Sequence, residues 1–331
     1  MKQWRAGHLL LTLSLAVMLI AALVACQSGS QDRTPQAANA QVELVGTVRV
    51  SGAWALYPMM VRWGEEFSKI HPKVRIDISA GGAGKGLADA VSGLVDIGMV
   101  SREIRPEEVQ QGAFYVSAVK DAVFPTINAN NPVLQGSLDQ QGARKAALVD
   151  LWMKGKPLTW GEVAGTDSRD TVQVYTRSDA CGAAEMWAKY LGGAQEDLHG
   201  TAVYGDPGLA EAVRNDRLGI GYNNLNYAYD ATTGLPVQGL AIMPLDVNDN
   251  GRIDAEEDLS TKAKAIAAIA SGAYPSPPAR YLYLVTKDQF SGVSREFVRW
   301  ILTDGQKFAD EVGYIRLPEA IGQESLNKLG Q

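Results

Sequence analysis

The stretch VRIDISAGGAGKGLADAV, from Val74 to Val91, carries the pattern that predicts the fold. Its first six residues alternate between apolar and polar side chains, as those of a half-buried β-strand do. A glycine-rich turn follows and leads into KGLADAV, whose apolar residues have helical spacing. The stretch therefore predicts a strand, a tight turn and a helix in succession.

The same order of elements recurs on both sides of this stretch. TVRVS at 47–51 precedes MMVRWGEEFSKI, whose Met60, Trp63 and Phe67 fit a period of 3.6 residues. Towards the end of the chain, ARYLYLVT predicts a strand and SREFVRWILTDGQKFADEVG predicts one long helix. Such alternation predicts α/β domains with mainly parallel sheets.

Residues 1–26 have the pattern of a secretory signal, since basic residues precede an apolar run that is short for a membrane span. LVAC at 23–26 resembles the bacterial lipobox, which would make Cys26 the acylated first residue of a lipoprotein. An ordinary signal peptide with a chance cysteine is the alternative. Residues 27–41 are polar and predict a flexible tether. We expect a secreted protein held by lipid at the outer face of the cytoplasmic membrane or in the periplasm.

The net charge limits the kinds of partner. Removing residues 1–26 removes Lys2 and Arg5 and no acidic residue, so the net charge of −6 becomes −8. An acidic body argues against nucleic acid as a partner and against a basic membrane-binding surface. We therefore expect membrane contact through the lipid anchor only.

The glycine-rich turn at 79–86 matches neither common nucleotide-binding motif. A P-loop needs Ser or Thr after Gly-Lys, whereas Gly86 follows Lys85, and Leu87 stands where the dinucleotide motif has its third glycine. The turn can still bind an anion through the N–H groups at the start of the following helix. The alternative is a tight turn that binds no ligand. Further turns of this kind begin at Ser51 and Arg177, and several facing one cleft would form an anion site.

Seven stretches resemble, in order and spacing, the phosphate-binding subunit of bacterial and archaeal ABC phosphate importers, over nearly all of residues 42–320. They are VDIGMVSREI, DAVFPTINANNPV, LWMKGKPLTWGEV, YTRSDACGAAE, LGIGYNNLNYAY, YPSPPARYLYLVT and GQKFADEVGYIRLP. The resemblance implies an α/β, two-lobed periplasmic-binding-protein type II fold that closes on its ligand between the lobes. Residues 42–127 and 276–331 would form lobe I, and residues 128–275 would form lobe II.

The resemblance also implies a ligand cage at the turns that follow strands. The implied contact positions are Trp54, Ala55, Ala83, Ser101, Arg102, Arg177, Asp179, Cys181, Gly182 and Ala183. Arg177 and Arg102 would recognise charge, with Asp179 orienting Arg177. Backbone N–H groups would complete the cradle at Ala55, Ala83, Gly182 and Ala183.

The sequence departs from the family where the family has hydroxyl groups. Trp54 and Ala83 stand at two such positions, and Cys181 and Ala183 replace the serine and threonine of a Ser-Gly-Thr run. Because a hydrogen bond to a charged group contributes about 1.5–3 kcal/mol, losing three of them weakens binding strongly. The neighbouring residues that could compensate are Tyr57, Asn223 and Asn224. Otherwise the ligand is an oxyanion other than phosphate.

Cys181 has several possible roles. With Cys26 acylated it has no intramolecular disulfide partner, and a thiol at a helix start can have a lowered pKa. A nucleophile would need a base, and neither His71 nor His199 lies in a stretch that matches a site turn. We expect Cys181 to line the cage, with inert packing and nucleophilic catalysis as alternatives.

DVNDNGRIDAEE at 246–257 has the spacing of a calcium-binding loop, with Gly251 at position 6 and the apolar Ile253 at position 8. The predicted ligands are Asp246, Asn248, Asn250, Arg252 (through its carbonyl group at position 7), Asp254 and Glu257. A solvated acidic loop is the alternative. Because the motif occurs once, we expect a single structural calcium site.

Together these features predict a monomeric extracytoplasmic solute-binding lipoprotein that delivers phosphate or a related oxyanion to an ABC importer permease, and not an enzyme. The alternative from another class is a non-transporting sensor or a calcium-dependent interaction protein on the same fold. Oxyanion binding by the purified protein favours the first, whereas a protein partner without a small ligand favours the second.

Overall fold

The computed structural model describes residues 43–135 and 142–330. The predicted signal sequence, the tether and the acylation site Cys26 lie outside these residues. From Leu44 onward, the described residues form one compact unit. Within the described ranges, no helix is both long and apolar enough to cross a membrane.

The strands of the described part of the chain are β1 (Gly46–Gly52), β2 (Val74–Ala80), β3 (Ile97–Val100), β4 (Ala113–Asn128), β5 (Ala143–Arg144), β6 (Gln173–Arg177), β7 (Thr201–Val203), β8 (Gly219–Asn224), β9 (Leu240–Ile242), β10 (Leu245–Asp246) and β11 (Ala279–Lys287). The predicted strand at 74–79 is therefore present as β2. The sequence signal was strong there because apolar and polar residues alternate without interruption.

The α-helices are α1 (Tyr57–Ile70), α2 (Ala83–Val91), α3 (Pro106–Gln110), α4 (Lys145–Trp152), α5 (Trp160–Ala164), α6 (Gly182–Leu191), α7 (Gly205–Asn215), α8 (Leu225–Ala228), α9 (Lys262–Ser271), α10 (Gly292–Leu302), α11 (Lys307–Val312) and α12 (Glu319–Gly330). Short 3-10 helices lie at Trp54–Leu56, Pro132–Gln135, Gln195–Asp197, Ala255–Glu257 and Asp304–Gln306.

The main sheet has the strand order β2-β1-β3-β11-β4-β8-β6-β7, with β9 also paired to β4. The prediction of mainly parallel sheets is correct only for its outer parts, where β1 pairs in parallel with β2 and β3, and β6 with β7 and β8. At the centre, β11 is antiparallel to both β3 and β4, and β4 is antiparallel to β8. The reason is topological, because β4 carries the chain out of one lobe and β11 brings it back.

Buried side chains separate into two large clusters, which give the molecule its two lobes. The cluster of lobe I draws on residues 48–119 and 282–329, and that of lobe II on residues 122–279. The change from one cluster to the other therefore falls inside β4 and near the start of β11. The residue boundaries predicted for the lobes stay a prediction, since a strand that serves both lobes has no sharp division.

The predicted long helix at 294–313 is wrong, because it is interrupted at Asp304–Gln306 by a 3-10 turn that separates α10 from α11. The indole Nε1 of the buried Trp63 donates to the carbonyl oxygen of Gly305 at 2.9 Å. Gly305 also lies against the ring of Trp300, which a Cβ atom at this position would approach to 3.2 Å. Packing of α1 on this turn therefore overrides the helical periodicity of the sequence.

Glycines let helix α2 lie directly on the sheet. A Cβ atom at Gly86 would lie 2.7 Å from the Cα atom of Gly52 and 2.4 Å from the carbonyl oxygen of Met99. A Cβ atom at Gly98 would lie 2.3 Å from the carbonyl oxygen of Gly86. Gly86, the glycine after Lys85, is therefore needed for close packing of the helix on the sheet. This packing brings the start of α2 to the carboxyl end of β1.

Candidate functional site

The predicted site turns meet where the two lobes face each other. Three of them follow the carboxyl ends of β1, β2 and β3 in lobe I, and the fourth follows β6 in lobe II. Gly84 in the second turn donates its N–H group to the carbonyl oxygen of Ala180 in the fourth, at 3.2 Å. The structure therefore brings together turns that are distant in sequence, in a cleft whose lobes touch.

Two glycines permit this close contact. A Cβ atom at Gly182 would lie 2.1 Å from the carbonyl oxygen of Ser101, across the cleft. Gly82 has a φ of +91°, and a Cβ atom there would lie 2.9 Å from Oδ2 of Asp179. Larger residues at these positions would hold the lobes apart.

Arg177 is the buried cation of the site, with a side chain that is 0% exposed. Its Nε and Nη2 donate to the two carboxylate oxygens of Asp179 at 2.8 and 2.6 Å, a bidentate pair. Burial lowers the pKa of the Arg177 guanidinium, but the charges of Asp206 and Asp179 outweigh burial and shift it upward overall. The geometry is the one expected of an arginine that Asp179 orients.

Asp206 is a site residue that the sequence did not predict. It lies in the first turn of α7, is 1% exposed, and accepts from Nη1 of Arg177 at 2.6 Å. Its other oxygen accepts from the backbone N and Nδ2 of Asn224 at 3.1 and 2.8 Å. In TAVYGDPGLAEAV at 201–213, a glycine again lies between a strand and a helix. This pattern is the sequence feature that could have predicted another turn of the site, and with it Asp206.

The guanidinium of Arg102 forms ion pairs with two carboxylates. Its Nη2 donates to Glu108 at 2.7 Å, and its Nε lies 3.2 Å from the carboxylate of Glu185 in lobe II. Glu185 also contacts Arg105, and Lys189 contacts Glu103, so these ion pairs link the lobes at the mouth of the cleft. The role of Arg102 in charge recognition stays a prediction, while its contacts hold the two lobes together.

The backbone groups predicted for the cradle lie at helix starts. Ala83 is the first residue of α2, while Gly182 and Ala183 open α6. Ala55 lies within the 3-10 turn Trp54–Leu56. The first N–H groups of a helix have no acceptor within that helix and favour an anion, and these four residues are buried.

Trp54 joins the lobes through its ring. The indole lies 6.3 Å from the ring of Tyr204 and directly against Gly205, both in lobe II. Its carbonyl oxygen accepts from the hydroxyl of Tyr227 at 3.3 Å. Among the described residues, its buried Nε1 has no hydrogen-bond partner. Trp54 stands where the sequence analysis expected a residue with a hydroxyl group, and it fills space at the interface between the lobes.

Cys181 is the N-cap of α6, where its Sγ accepts from the N–H group of Ala184 at 3.5 Å. The position at a helix start does not give this thiol a lowered pKa. Burial raises the pKa of the thiol to about 12, which the positive charge of Arg177 only partly offsets. A thiol that stays protonated is a poor nucleophile, which argues against the catalytic alternative. The expectation that Cys181 lines the cage stays a prediction.

Asn223 and Asn224 have protein partners in this closed cleft. Asn223 accepts from Thr126 at 2.8 Å and donates to the carbonyl oxygen of Asp206 at 3.1 Å. Asn224 donates to Asp206 and accepts from Arg280. These amides therefore position the charged groups of the site.

The loop at 246–257 is compact and draws its polar groups inward. Asp246 is buried and accepts from the N–H groups of Asn250 and Gly251 at 3.0 and 2.8 Å. Glu257 is buried and accepts from Val247 at 2.8 Å. Gly251 has a φ of +83°, as the sharp turn at position 6 requires. In the described ranges, no group of three or more His, Cys, Asp and Glu side chains is placed to hold a metal ion. A calcium loop of this type does not depend on such a group alone, because it also uses amide and backbone carbonyl oxygens as ligands.

Two α/β lobes that close on a cleft lined by helix starts define a periplasmic-type binding protein. Residues 37–305 match the PBP superfamily domain, and the chain belongs to that superfamily. The resemblance seen in the sequence is thereby confirmed.

Individual proteins support the same relationship. Phosphate-binding protein PstS of Methanocaldococcus jannaschii is 25% identical, and the match covers 96% of this chain and 94% of that protein. Protein SphX of Synechococcus elongatus is 27% identical over 86% of this chain and 80% of its own length. The crystal structure of an ABC-type phosphate transport receptor from Vibrio cholerae superposes with a TM-score of 0.59 at 17% identity, covering 82% of this chain and 100% of that one.

Proposed function

We propose that this protein is an extracytoplasmic solute-binding protein that captures phosphate or a related oxyanion and delivers it to an ABC importer. The observation that carries the proposal is the convergence of buried helix starts and the buried cation Arg177 on one cleft between two lobes. Relatives named as phosphate-binding proteins cover nearly the whole chain, which supports phosphate as the first candidate.

The remaining features of the proposal rest partly on the sequence and partly on the contacts in the cleft. Cys26 is the proposed acylation site, and the tether at 27–41 would leave the lobes free to reach a permease. We propose a monomer that performs no catalysis. The raised pKa of Cys181, the only thiol described at the cleft, argues against a nucleophilic role for that residue. Release to the permease then requires the lobes to open, because the turns touch in the closed form.

Calorimetric titration tests the proposed ligand class. We expect phosphate to bind with a saturable isotherm of one site per chain, and arsenate, which has the same shape and charge, to compete with it. Sulfate serves as the comparison, because it has the same shape without a proton to donate. The proposal fails if none of the three anions produces heat or raises the melting temperature of the purified protein.

We propose in addition that the loop at 246–257 binds one structural calcium ion. Its ligands would be carboxylate, amide and carbonyl oxygens, which are the hard donors that calcium prefers. Asp246 and Glu257 are already held inside the loop by its own N–H groups, so little rearrangement is needed to present oxygens to an ion.

Replacement of Glu257 by alanine tests this calcium site. With a Kd of about 10⁻⁴–10⁻³ M, about 10 mM calcium should stabilise the parent protein by about 1.4–2.7 kcal/mol. We expect Glu257→Ala to abolish that calcium-induced rise in melting temperature, whereas Glu256→Ala, at the exposed neighbouring position, keeps it. Each variant is compared with itself with and without calcium, so any loss of basal stability does not obscure the result. An equal rise in all three proteins would mean that calcium acts elsewhere.

A further inference from the structure

The turn that carries Trp54 and Ala55 is held from both lobes. It belongs to lobe I, whose buried cluster includes Ala55. Within that lobe, the hydroxyl of the buried Tyr314 donates to the carbonyl oxygen of Ala55 at 2.6 Å. This hydrogen bond fixes the end of the turn that leads into α1.

Lobe II provides a seat for Trp54, which is formed by Tyr204, Gly205 and Tyr227. The indole meets the ring of Tyr204 edge-on, with 6.3 Å between the ring centroids and an interplanar angle of 87°. Gly205 has a φ of +74°, and a Cβ atom there would lie 3.2 Å from Cε2 and Nε1 of the indole. The hydroxyl of Tyr227 donates to the carbonyl oxygen of Trp54 at 3.3 Å. The seat therefore contacts both the ring and the backbone of Trp54.

The contact with Tyr227 acts on the peptide unit that joins Trp54 to Ala55. This unit is planar, with its carbonyl oxygen and its N–H group on opposite sides, so a donor that holds the oxygen of Trp54 also sets the direction of the Ala55 N–H group. That N–H group lies at a helix start, where it has no acceptor within the helix, and it is one of the groups predicted for the cradle. Burial raises the pKa of the Tyr227 hydroxyl, and the charge of Asp206 raises it further, so the hydroxyl remains a donor.

We propose that the seat formed by Tyr204, Gly205 and Tyr227 orients the peptide between Trp54 and Ala55, so that the cradle is complete only when the lobes are closed. This inference rests on the proposed oxyanion-binding function. The three residues of the seat are positioning residues, because they act on the ligand through the turn of lobe I. Separating the lobes removes the seat, and the Ala55 N–H group is then no longer held towards the ligand. The seat should therefore slow the release of the ligand and leave its capture unchanged.

Tyr227→Phe and Tyr204→Ala remove two sides of the seat separately. We expect Tyr227→Phe to weaken phosphate binding by about three- to fivefold, because a neutral hydrogen bond of this length contributes little. Tyr204→Ala, at a residue that is 56% exposed, should weaken it by about three- to tenfold, since one edge-on ring contact is lost. Calorimetry measures the affinity, and stopped-flow tryptophan fluorescence should show the loss in the dissociation rate. Tyr229→Phe is the matched control, because its hydroxyl donates to the carbonyl oxygen of Leu259 within lobe II, and it should change neither quantity.

The amide signal of Ala55 separates positioning from direct contact with the ligand. In protein labelled with ¹⁵N-alanine, this signal is assigned by its absence from Ala55→Gly. We expect saturating phosphate to shift the signal in the parent protein and to shift it less in Tyr227→Phe. The same smaller shift is expected in Tyr204→Ala.

The outcomes separate this inference from the function on which it rests. If the parent protein binds phosphate and both seat variants keep its affinity, or lose it through slower association, the seat has no positioning role, while the proposed function stands. An Ala55 shift that is unchanged in a weakened Tyr227→Phe protein would overturn the inference in the same way. If the parent protein binds no oxyanion, the proposed function and this inference fail together. Circular dichroism checks folding, and the exposed Tyr204→Ala carries the test should Tyr227→Phe be unfolded.

Discussion

Arg177→Ala should destabilise the protein by about 3–5 kcal/mol and abolish oxyanion binding. The side chain is fully buried, and its removal leaves the carboxylates of Asp179 and Asp206 without the cation that neutralises them. Breaking a buried ion pair from one side costs this much because the remaining charge stays desolvated. Chemical denaturation measures the loss of stability, and calorimetric titration with phosphate measures the loss of binding.

Three variants show whether the loss comes from the stranded carboxylates. Arg75→Ala removes an exposed arginine that pairs with Asp77, and it should change the free energy of unfolding by less than about 0.5 kcal/mol. Arg177→Lys keeps the charge without the planar fork and should recover only part of the stability. Adding Asp206→Asn to Arg177→Ala should also recover part of it, because one stranded charge is removed. A double variant as unstable as the sum of the two single changes would contradict this account.

The positions of the turns that form the site could be predicted from the sequence, whereas the full set of charged residues within the site could not. Strand–turn–helix patterns located the turns before Ala83 and Gly182, since periodicity and glycine spacing are local properties of the chain. Asp206 was not predicted as a site residue, because a carboxylate in the first turn of a helix is common at exposed positions that bind no ligand. Only the packing of α7 against β6 turns Asp206 into a partner of Arg177.

The limits of local pattern also explain the corrections to the fold. Sequence periodicity does not state the direction in which neighbouring strands pair, so the antiparallel centre made by β4 and β11 was not predicted. The same holds for Cys181, where the helix start suggested a lowered pKa. Burial dominates at this thiol, and burial is a property of the assembled lobes.

A second buried pair lies where the chain crosses between the lobes. Arg280 of β11 is the direct cross-strand partner of Asp121 of β4, and their side chains approach to 3.3 Å at 5% and 0% exposure. Arg280 also donates to the carbonyl oxygen of Ser101 in lobe I and to Asn224 in lobe II. Burial raises the pKa of Asp121 to about 6, although the positive charge of Arg280 opposes that shift.

Arg280→Met should therefore destabilise the protein by about 3–5 kcal/mol near neutral pH, with a loss that depends on pH. In the parent protein, the raised pKa of Asp121 means that stability falls as pH rises from about 4 to 6 and then levels off. Without Arg280 the pKa of Asp121 rises further, so the stability of the variant continues to fall above pH 6. The difference between the two proteins should be constant below that pH and widen above it.

Urea denaturation between about pH 5 and 7.5 measures this widening, and stays below the titration of Lys262, whose pKa burial lowers to about 8. Asp121→Asn supplies the control, because it removes the group that titrates. Introducing Arg280→Met into the Asp121→Asn protein should give a loss of stability that is the same at every pH in this range. A difference between parent and Arg280→Met that narrows as pH rises would mean that Asp121 is not the group stranded by the loss of Arg280. The widening, if observed, places an ionised carboxylate at the crossing between the lobes, where its neutralisation by Arg280 holds β4 and β11 together beneath the cleft.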